Sequence, residues 1–259
     1  CGKPRLIRKL LARGVVPGML ALAASVVPVS AAQATESVTH PLNVALATGE
    51  RGGKAAPHAA RADFAQEPAS PDARLVADEI VRLGDNQGIP FVLVDKTHAK
   101  VYVFSADGRL QGAAPALLGL ALGDHAVPGI GERKLSSIRP DERTTPAGRF
   151  VASLGRNLKG SEILWVDYEG ALSMHPVITS NAKERRAQRL ATPTPLDNRI
   201  SYGCINVPLD FFKAVLKPVF TETDGIVYVL PETPAGWRLF ALNAGGSLFG
   251  RMAQNSTTD

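Results

Sequence analysis

The sequence predicts a mostly β domain, largely antiparallel, with one or two short helices. Short apolar or alternating runs recur between residues 91 and 230, and Asp107-Gly108 is a strong hairpin turn. Only two stretches have helical periodicity, so strands outnumber helices. Once an N-terminal leader is removed, about 225 residues would remain, which is enough for one domain of ordinary size with tails.

Residues 1–34 have the features of a secretory signal peptide. A basic region precedes an apolar stretch over residues 15–29, and Ala32-Gln33-Ala34 supplies the small residues of a cleavage site. Pro17 and Pro28 interrupt the apolar stretch, which is too short for a comfortable membrane span, and no later segment is apolar enough to span. We therefore expect an exported protein without a transmembrane span in the mature chain.

The net charge of the chain is concentrated in this leader. The formal charge is +5, from 29 basic and 24 acidic residues. The leader contains no acidic residue and five basic ones, which are Lys3, Arg5, Arg8, Lys9 and Arg13. The mature chain is therefore close to neutral, and we find no basic-aromatic patch that would indicate a nucleic-acid partner.

The region before the domain divides into a spacer and a helix. Residues 35–69 are rich in Ala, Gly, Thr and charge without a sustained period, which predicts a flexible linker. A leading helix is expected over 70–87, because Ser70 suits the N-cap and Pro71 the first helical position. Gly84 is a plausible C-terminal stop. The apolar residues that share one face are Ala73, Val76, Ile80 and Leu83.

The predicted domain covers residues 88–232 and is followed by a C-terminal extension or tail over 233–259. A helix is expected over 208–216, and two long basic or Gly/Pro-rich loops lie at 123–148 and 180–199. The second loop could form a lid or a wall of the site. Strands are expected at 91–94, 99–104, 115–122, 149–154, 162–167, 171–175 and 226–230.

The chemistry-bearing residues are one cysteine and one histidine. Removal of the leader takes away Cys1 and leaves Cys204 as the only cysteine, which is then either a buried hydrophobe or a nucleophile. His175 ends a predicted strand and can take the thiol proton. Gly203 permits a tight turn, and the amides of Tyr202, Gly203 and Cys204 could point at a developing oxyanion. Acyl transfer through a thioester is the chemistry that this combination favours.

These residues resemble the catalytic domain of the L,D-transpeptidases, cysteine enzymes that remodel bacterial peptidoglycan. That family has a His, a variable spacer, then Ser/Thr-His-Gly-Cys, an apolar residue and Asn or Arg. The matching residues here are His175, Ser201, Gly203, Cys204, Ile205 and Asn206. The segments at 92–104, 145–150 and 225–230 are also similar to the family's opening hairpin, its Thr-Pro-x-Gly-x-Phe stretch and its closing strand. The resemblance implies an L,D-transpeptidase-like β-sandwich or barrel over about 88–232.

Two features depart from the family pattern. Tyr202 stands where the family has a His before the Gly, and the spacer between His175 and Ser201 is longer than in compact members. If only the backbone amide at position 202 serves the oxyanion, the first change is mild. If the family imidazole shapes the site, activity or specificity changes with it.

The resemblance implies a mechanism and a location. Cys204 would attack a peptidoglycan stem peptide and release D-alanine, with His175 as base and the carbonyl of Pro176 as its partner. The acceptor would be a stem-peptide amine or a wall-linked protein, in the bacterial periplasm or cell wall. Neither metal nor organic cofactor is needed. Further substrate-binding groups are expected at Arg199, Ser201 and Asn206.

Two alternatives stay open from the sequence. The first is hydrolysis at the same site, by an L,D-carboxypeptidase or by an enzyme that detaches proteins from the wall. The second is a non-catalytic wall-binding domain that retains the fold while Tyr202 replaces a functional imidazole.

Overall fold

The computed structural model describes residues 61–243, with side chains to residue 240. The predicted leader (1–34), the linker as far as residue 60 and the tail beyond residue 243 lie outside the described residues. Within the described part, no helix is both long enough and apolar enough to cross a membrane.

The described residues form a large mixed sheet and a small two-stranded one. The strands are β1 (Phe91–Asp95), β2 (Lys100–Phe104), β3 (Leu110–Pro115), β4 (Leu118–Gly119), β5 (Gly148–Arg156), β6 (Glu162–Asp167), β7 (Leu172–Pro176), β8 (Arg199–Ser201), β9 (Ile205–Val207) and β10 (Gly225–Val229). The large sheet has the order β3-β2-β1-β10-β5-β6-β7-β9, and β4 pairs with β8.

The large sheet is mostly antiparallel and nearly closes on itself. Only the β1–β10 and β7–β9 pairs within it are parallel. Leu117, just after β3, exchanges two backbone hydrogen bonds of 2.8 Å with Asn206 of β9, which brings the two edges of the sheet together. The predicted mostly β class and its barrel-like form are therefore confirmed.

The helices are short and more numerous than the one or two expected. They are α1 (Pro71–Leu83), α2 (Arg186–Ala191), α3 (Leu209–Phe211), α4 (Lys217–Phe220) and α5 (Pro234–Asn243), with a π-helical turn over Phe212–Leu216 joining α3 to α4. The leading helix begins and ends as its sequence predicts. Ser70 Oγ accepts the amide of Ala73 at 3.0 Å, and Gly84 takes the left-handed conformation, at φ +66°, that ends the helix.

The two faces of the large sheet form two apolar cores because side chains alternate along each strand. On one face, Phe91, Tyr102 and Tyr228 pack against α1 and Phe240. The opposite face carries Val92, Val103 and Val227 and packs against the π-helical turn and strands β4 and β9. The second core therefore supports the strand end at which Cys204 lies.

Several boundaries differ from the sequence expectations. Part of the predicted linker, residues 61–69, packs onto the domain, because Phe64 is 3% exposed between Tyr102 and Phe104. The single strand expected over 115–122 is divided between β3 and β4. Strands β8 and β9 and helices α2 and α5 were not expected. Each of the two strands has three residues, too few to show an alternating pattern.

Candidate active site

The turn that carries Cys204 is closed by one serine side chain. Ser201, 2% exposed, donates its hydroxyl to the carbonyl oxygen of Cys204 at 2.6 Å and accepts the amide of Gly203 at 3.1 Å. Gly203 has φ +122°, and a Cβ there would lie 2.7 Å from the carbonyl oxygen of Thr144. Glycine is therefore required by both its conformation and the close approach. The Ser201 hydroxyl thus orients the turn, and the Gly203 amide is hydrogen-bonded inside it.

Thr145 fixes the same turn from behind. Its hydroxyl donates to the carbonyl oxygen of Gly203 at 2.8 Å and accepts the amide of Gly119 at 2.8 Å. Thr145 is fully buried, so both bonds are shielded from water. Because the Gly203 carbonyl belongs to the same peptide group as the Cys204 N–H, Thr145 sets the direction in which that N–H points.

Strand pairing places the candidate base beside Asn206. Strands β7 and β9 run parallel with His175 opposite Asn206, so their side chains emerge next to each other. His175 Nδ1 lies 2.8 Å from the carbonyl oxygen of Pro176, and its Nε2 lies 3.3 Å from Asn206 Nδ2. Arg186, the first residue of α2, donates from Nη1 to Asn206 Oδ1 at 2.6 Å. We call Arg186, Asn206 and His175 the imidazole network.

The surroundings of His175 favour a neutral ring. Burial lowers its pKa below the ordinary 6.5, because the imidazolium loses hydration. The Pro176 carbonyl acts in the opposite direction, whereas the positive charge of Arg186 lowers the pKa further. The net direction is downward, so the unprotonated ring is the stable form at neutral pH.

Cys204 is 8% exposed and is placed by polar neighbours of β7. Its sulfur lies 3.6 Å from Ser173 Oγ and 3.7 Å from the carbonyl oxygen of Ala171. The sulfur is disulfide-bonded in the structure. A nucleophilic role for Cys204 therefore concerns the reduced chain.

Two cavities meet at Cys204, and a third lies beyond the histidine. The first, about 40 Å³, is lined by Cys204, Tyr202 and residues of the 123–148 loop. The second, about 250 Å³, is lined by Cys204, His175 and Arg186 together. The third, about 790 Å³, shares His175 and continues past Pro176 towards α3 and α4. Of the three, only the second cavity is lined by both Cys204 and His175, so it is the candidate space for a ligand that contacts both.

Tyr202 forms part of the wall between the first two cavities. It lines both of them, and the guanidinium of Arg143 lies 3.9 Å from the centroid of its ring. Arg143 is itself held by the carbonyl oxygen of Ile138, at 3.2 and 3.0 Å from Nε and Nη2. The residue that departs from the family pattern is therefore fixed by a cation–π contact.

Arg199 is held in a buried group of charges rather than in the cavities that Cys204 lines. Its Nη2 pairs with Glu232 and donates to the carbonyl oxygen of Lys96 at 3.1 Å. Lys96 Nζ, fully buried, lies 2.7 Å from Asp124 and 3.3 Å from Glu232. We call Lys96, Asp124, Arg199 and Glu232 the ion-pair cluster. The guanidinium of Arg199 is therefore bound by protein groups, whereas the sequence suggested that it binds substrate.

The ion-pair cluster reaches the cysteine turn through Thr145. Lys96 Nζ donates to the carbonyl oxygen of Thr145 at 2.9 Å and to that of Gly123 at 2.7 Å. Burial opposes ionisation of Asp124, but hydrogen bonds from Lys96 and Thr233 outweigh it, so the pKa of this carboxyl is lowered. Asp124 is therefore ionised, and the contact of Lys96 with the Thr145 carbonyl supports the cysteine turn from inside the domain.

Sequence reasoning missed Thr145, Ser173 and Arg186 as parts of the site, and of the ion-pair cluster it named only Arg199. The available signal was weak: Thr145 lay in a recognised motif, but no spacing linked Arg186 or Lys96 to Cys204. No group of three or more His, Cys, Asp or Glu residues placed to hold a metal ion occurs within residues 61–243.

Comparisons with known proteins give structural matches only. No protein-family model matches the chain, and no curated protein matches it. The chain is similar to LD transpeptidase LdtMt1 in complex with imipenem, at 16% identity over 54% of this chain and 58% of that chain, with a TM-score of 0.32. It thus spans less than two thirds of that protein.

Two further solved structures are similar. For L,D-transpeptidase (Yku) from Stackebrandtia nassauensis the identity is 14%, over 64% of this chain and 69% of that chain, with a TM-score of 0.32. For the catalytic domain of the E. faecium L,D-transpeptidase the identity is 17%, over 54% of this chain and 95% of that chain, with a TM-score of 0.29. All three are L,D-transpeptidases, the family that the sequence motifs resemble.

Proposed function

We propose that the reduced chain is an exported cysteine acyltransferase that acts on peptidoglycan stem peptides as an L,D-transpeptidase. The observation that carries the proposal is that Cys204 and His175 line one cavity, each held by its own polar partners. The Ser201 hydroxyl closes the cysteine turn, and the Pro176 carbonyl accepts from the imidazole. This pairing of a buried sulfur and an oriented imidazole suits nucleophilic acyl transfer.

In the first half of the reaction, Cys204 attacks the carbonyl that joins the third stem residue to terminal D-alanine. His175 takes the thiol proton at Nε2, because Nδ1 is directed at Pro176. The amides of Tyr202 and Cys204 then serve the oxyanion, since that of Gly203 is bonded to Ser201. The C–N bond breaks, D-alanine leaves with the proton from His175, and a thioester remains on Cys204.

In the second half, an amine attacks the thioester. The amine gives a proton to His175 and forms an amide with the acyl group, the C–S bond of the thioester breaks, and His175 returns the proton to the sulfur, so the enzyme is regenerated. An amine of a neighbouring stem gives a cross-link, and water gives a shortened stem. No other co-reactant is required, because acyl groups and protons balance within the two steps.

The proposal includes the domain organisation and location. A leader over 1–34 would direct export to the bacterial periplasm or cell wall, and the domain over 88–232 would carry the reaction. The packing of Phe64 and of α5 supports a working unit that begins before residue 70 and continues beyond residue 232.

The test is mass spectrometry of the full-length chain incubated with disaccharide-tetrapeptide under a thiol reductant. We expect a dimer that has lost one D-alanine. The matched controls are Cys204→Ala, which should give no product, and Cys1→Ala, which should retain activity. Shortened stems without dimer would favour the carboxypeptidase alternative. If well-folded wild type leaves the substrate unchanged, the enzymatic proposal is wrong and a wall-binding domain is favoured.

A further inference from the structure

Hydrogen-bond directions in the imidazole network can be assigned from chemistry alone. A guanidinium donates hydrogen bonds and accepts none, so the Asn206 atom that faces Arg186 must be the carbonyl oxygen. The amide nitrogen of Asn206 then faces His175 and donates to Nε2. An accepting Nε2 carries no proton, so Nδ1 carries it and donates to the Pro176 carbonyl. Arg186 thereby fixes the tautomer of His175 through two successive hydrogen bonds.

The same directions oppose protonation of the ring. A proton on Nε2 would face the N–H groups of Asn206, and the amide cannot turn its oxygen towards the ring while Arg186 holds that oxygen. The side chain of Arg186 is 11% exposed and is anchored by Glu184, so the arrangement is not a loose surface contact. The charged groups that line the cavities beside His175 are Arg186, Glu184, Glu162, Lys213 and Lys217.

We propose that Arg186 is a positioning residue that, by orienting the Asn206 amide, keeps His175 neutral and prevents a preformed thiolate–imidazolium pair with Cys204. The 180–199 segment would then contribute to the chemistry through its arginine rather than as a lid alone. Proton transfer would occur only as Cys204 attacks, when the thiol competes with Asn206 for Nε2. The inference rests on the proposed function only for its choice of Cys204 and His175 as the reacting pair.

Alkylation of reduced Cys204 by iodoacetamide tests this inference without any peptidoglycan substrate. The reduced full-length chain is desalted, and labelling of the Cys204 peptide is followed by mass spectrometry from pH 5 to pH 9. Wild type should react slowly at pH 6, as an ordinary thiol does. Arg186→Gln should react about tenfold faster at pH 6, because a freed Asn206 can accept from the imidazolium and stabilise the ion pair.

Arg189→Gln is the matched control in the same helix. Arg189 donates to the carbonyl oxygens of Glu184 and Asp197 and makes no contact with Asn206, so its pH profile should match wild type. Asn206→Asp gives a second route to the same result, because a carboxylate can accept from Nε2–H while still pairing with Arg186. That variant should also react faster at pH 6.

The outcomes separate cleanly. Faster labelling in Arg186→Gln and Asn206→Asp, with Arg189→Gln unchanged, supports the inference. An unchanged or slower profile in Arg186→Gln overturns it, as does a gain in Arg186→Gln that Asn206→Asp does not reproduce. Circular dichroism establishes that each variant is folded. Because no acyl transfer is measured, an inactive but normally labelled protein would count against the proposed function and leave this inference intact.

Discussion

Two buried polar networks meet at the turn that carries Cys204, and they differ in whether their charges face the inside of the domain or a cavity. The ion-pair cluster, behind the turn, contains two cations and two anions whose contacts lie inside the domain. The imidazole network, in front, contains one cation, one amide and a neutral ring, and it opens onto a cavity. Ion pairs buried inside the domain therefore hold the backbone, whereas Arg186, paired with Glu184 at the cavity, orients the groups beside the cysteine.

The largest expected effect is on stability, from loss of the cation at the centre of the ion-pair cluster. Lys96→Met removes the cation paired with Asp124 and the Nζ hydrogen bonds to that carboxylate and to the carbonyls of Gly123 and Thr145. Removing one partner of a buried pair should lower the free energy of unfolding by about 3–5 kcal/mol. Urea unfolding followed by fluorescence measures it.

Lys217→Met is the matched control for that substitution. Lys217 pairs with Glu162 at 2.8 Å, but its side chain is 43% exposed, so the loss should be less than about 1 kcal/mol. Equal losses in the two variants would break the comparison, because they would mean that burial does not set the strength of the pairs.

The second effect lies where the two networks meet. Thr145→Val removes the donor to the Gly203 carbonyl and the acceptor of the Gly119 amide, and should destabilise the fold by about 1–3 kcal/mol. If the Cys204 amide serves the oxyanion, acyl transfer should also slow by about tenfold, equivalent to about 1.4 kcal/mol of transition-state stabilisation.

Two readouts sharpen the interpretation of this variant. Alkylation of reduced Cys204 forms no oxyanion, so its rate in Thr145→Val should equal that of wild type. Thr145→Ser keeps the hydroxyl and should recover acyl transfer. Parallel losses of alkylation and acyl transfer would show instead that Thr145 merely keeps the turn folded.

The smallest effect is a pH dependence of stability from His175. Its pKa in the folded chain is lowered from the ordinary 6.5, so below that pH the unfolded chain binds a proton that the folded chain does not. The stability of wild type should therefore fall as the pH drops below 6.5. The contribution of this group at pH 5 is at most about 2 kcal/mol.

The comparison is between wild type and His175→Gln, unfolded in urea at pH 7.5 and pH 5. Between pH 7.5 and pH 5, wild type should lose more free energy of unfolding than His175→Gln does. A difference that stays constant, or that moves in favour of wild type, would contradict a neutral buried imidazole.

Much of the fold was predictable because its longer elements carry local signals. The leading helix has its N-cap, Pro71 and left-handed Gly84, and β1, β2, β6 and β10 have the apolar runs of buried strands. Strands β8 and β9 depend on partners distant in sequence, such as β4 and β7, and leave little trace in three residues. Pairing of distant segments, rather than local propensity, accounts for what was missed.

The candidate site divides in the same way. Cys204, Gly203 and His175 could be singled out because their residue types and neighbouring motifs have a chemical meaning in sequence. Arg199 was expected at the site and Arg186 was not, because residue type alone does not show which arginine of one basic segment reaches the groups beside the cysteine. Only the structure directs one to Asn206 and the other to Glu232.

The position of β10 has a consequence for how the chain is assembled. This strand comes last in the described residues, yet it lies at the centre of the large sheet, between β1 and β5. Until Gly225–Val229 has been synthesised, β1 and β5 lack the strand that lies between them, and each exposes an unpaired edge. The sheet therefore closes late through contacts of long sequence separation, which favours slow folding of the finished chain over folding during synthesis.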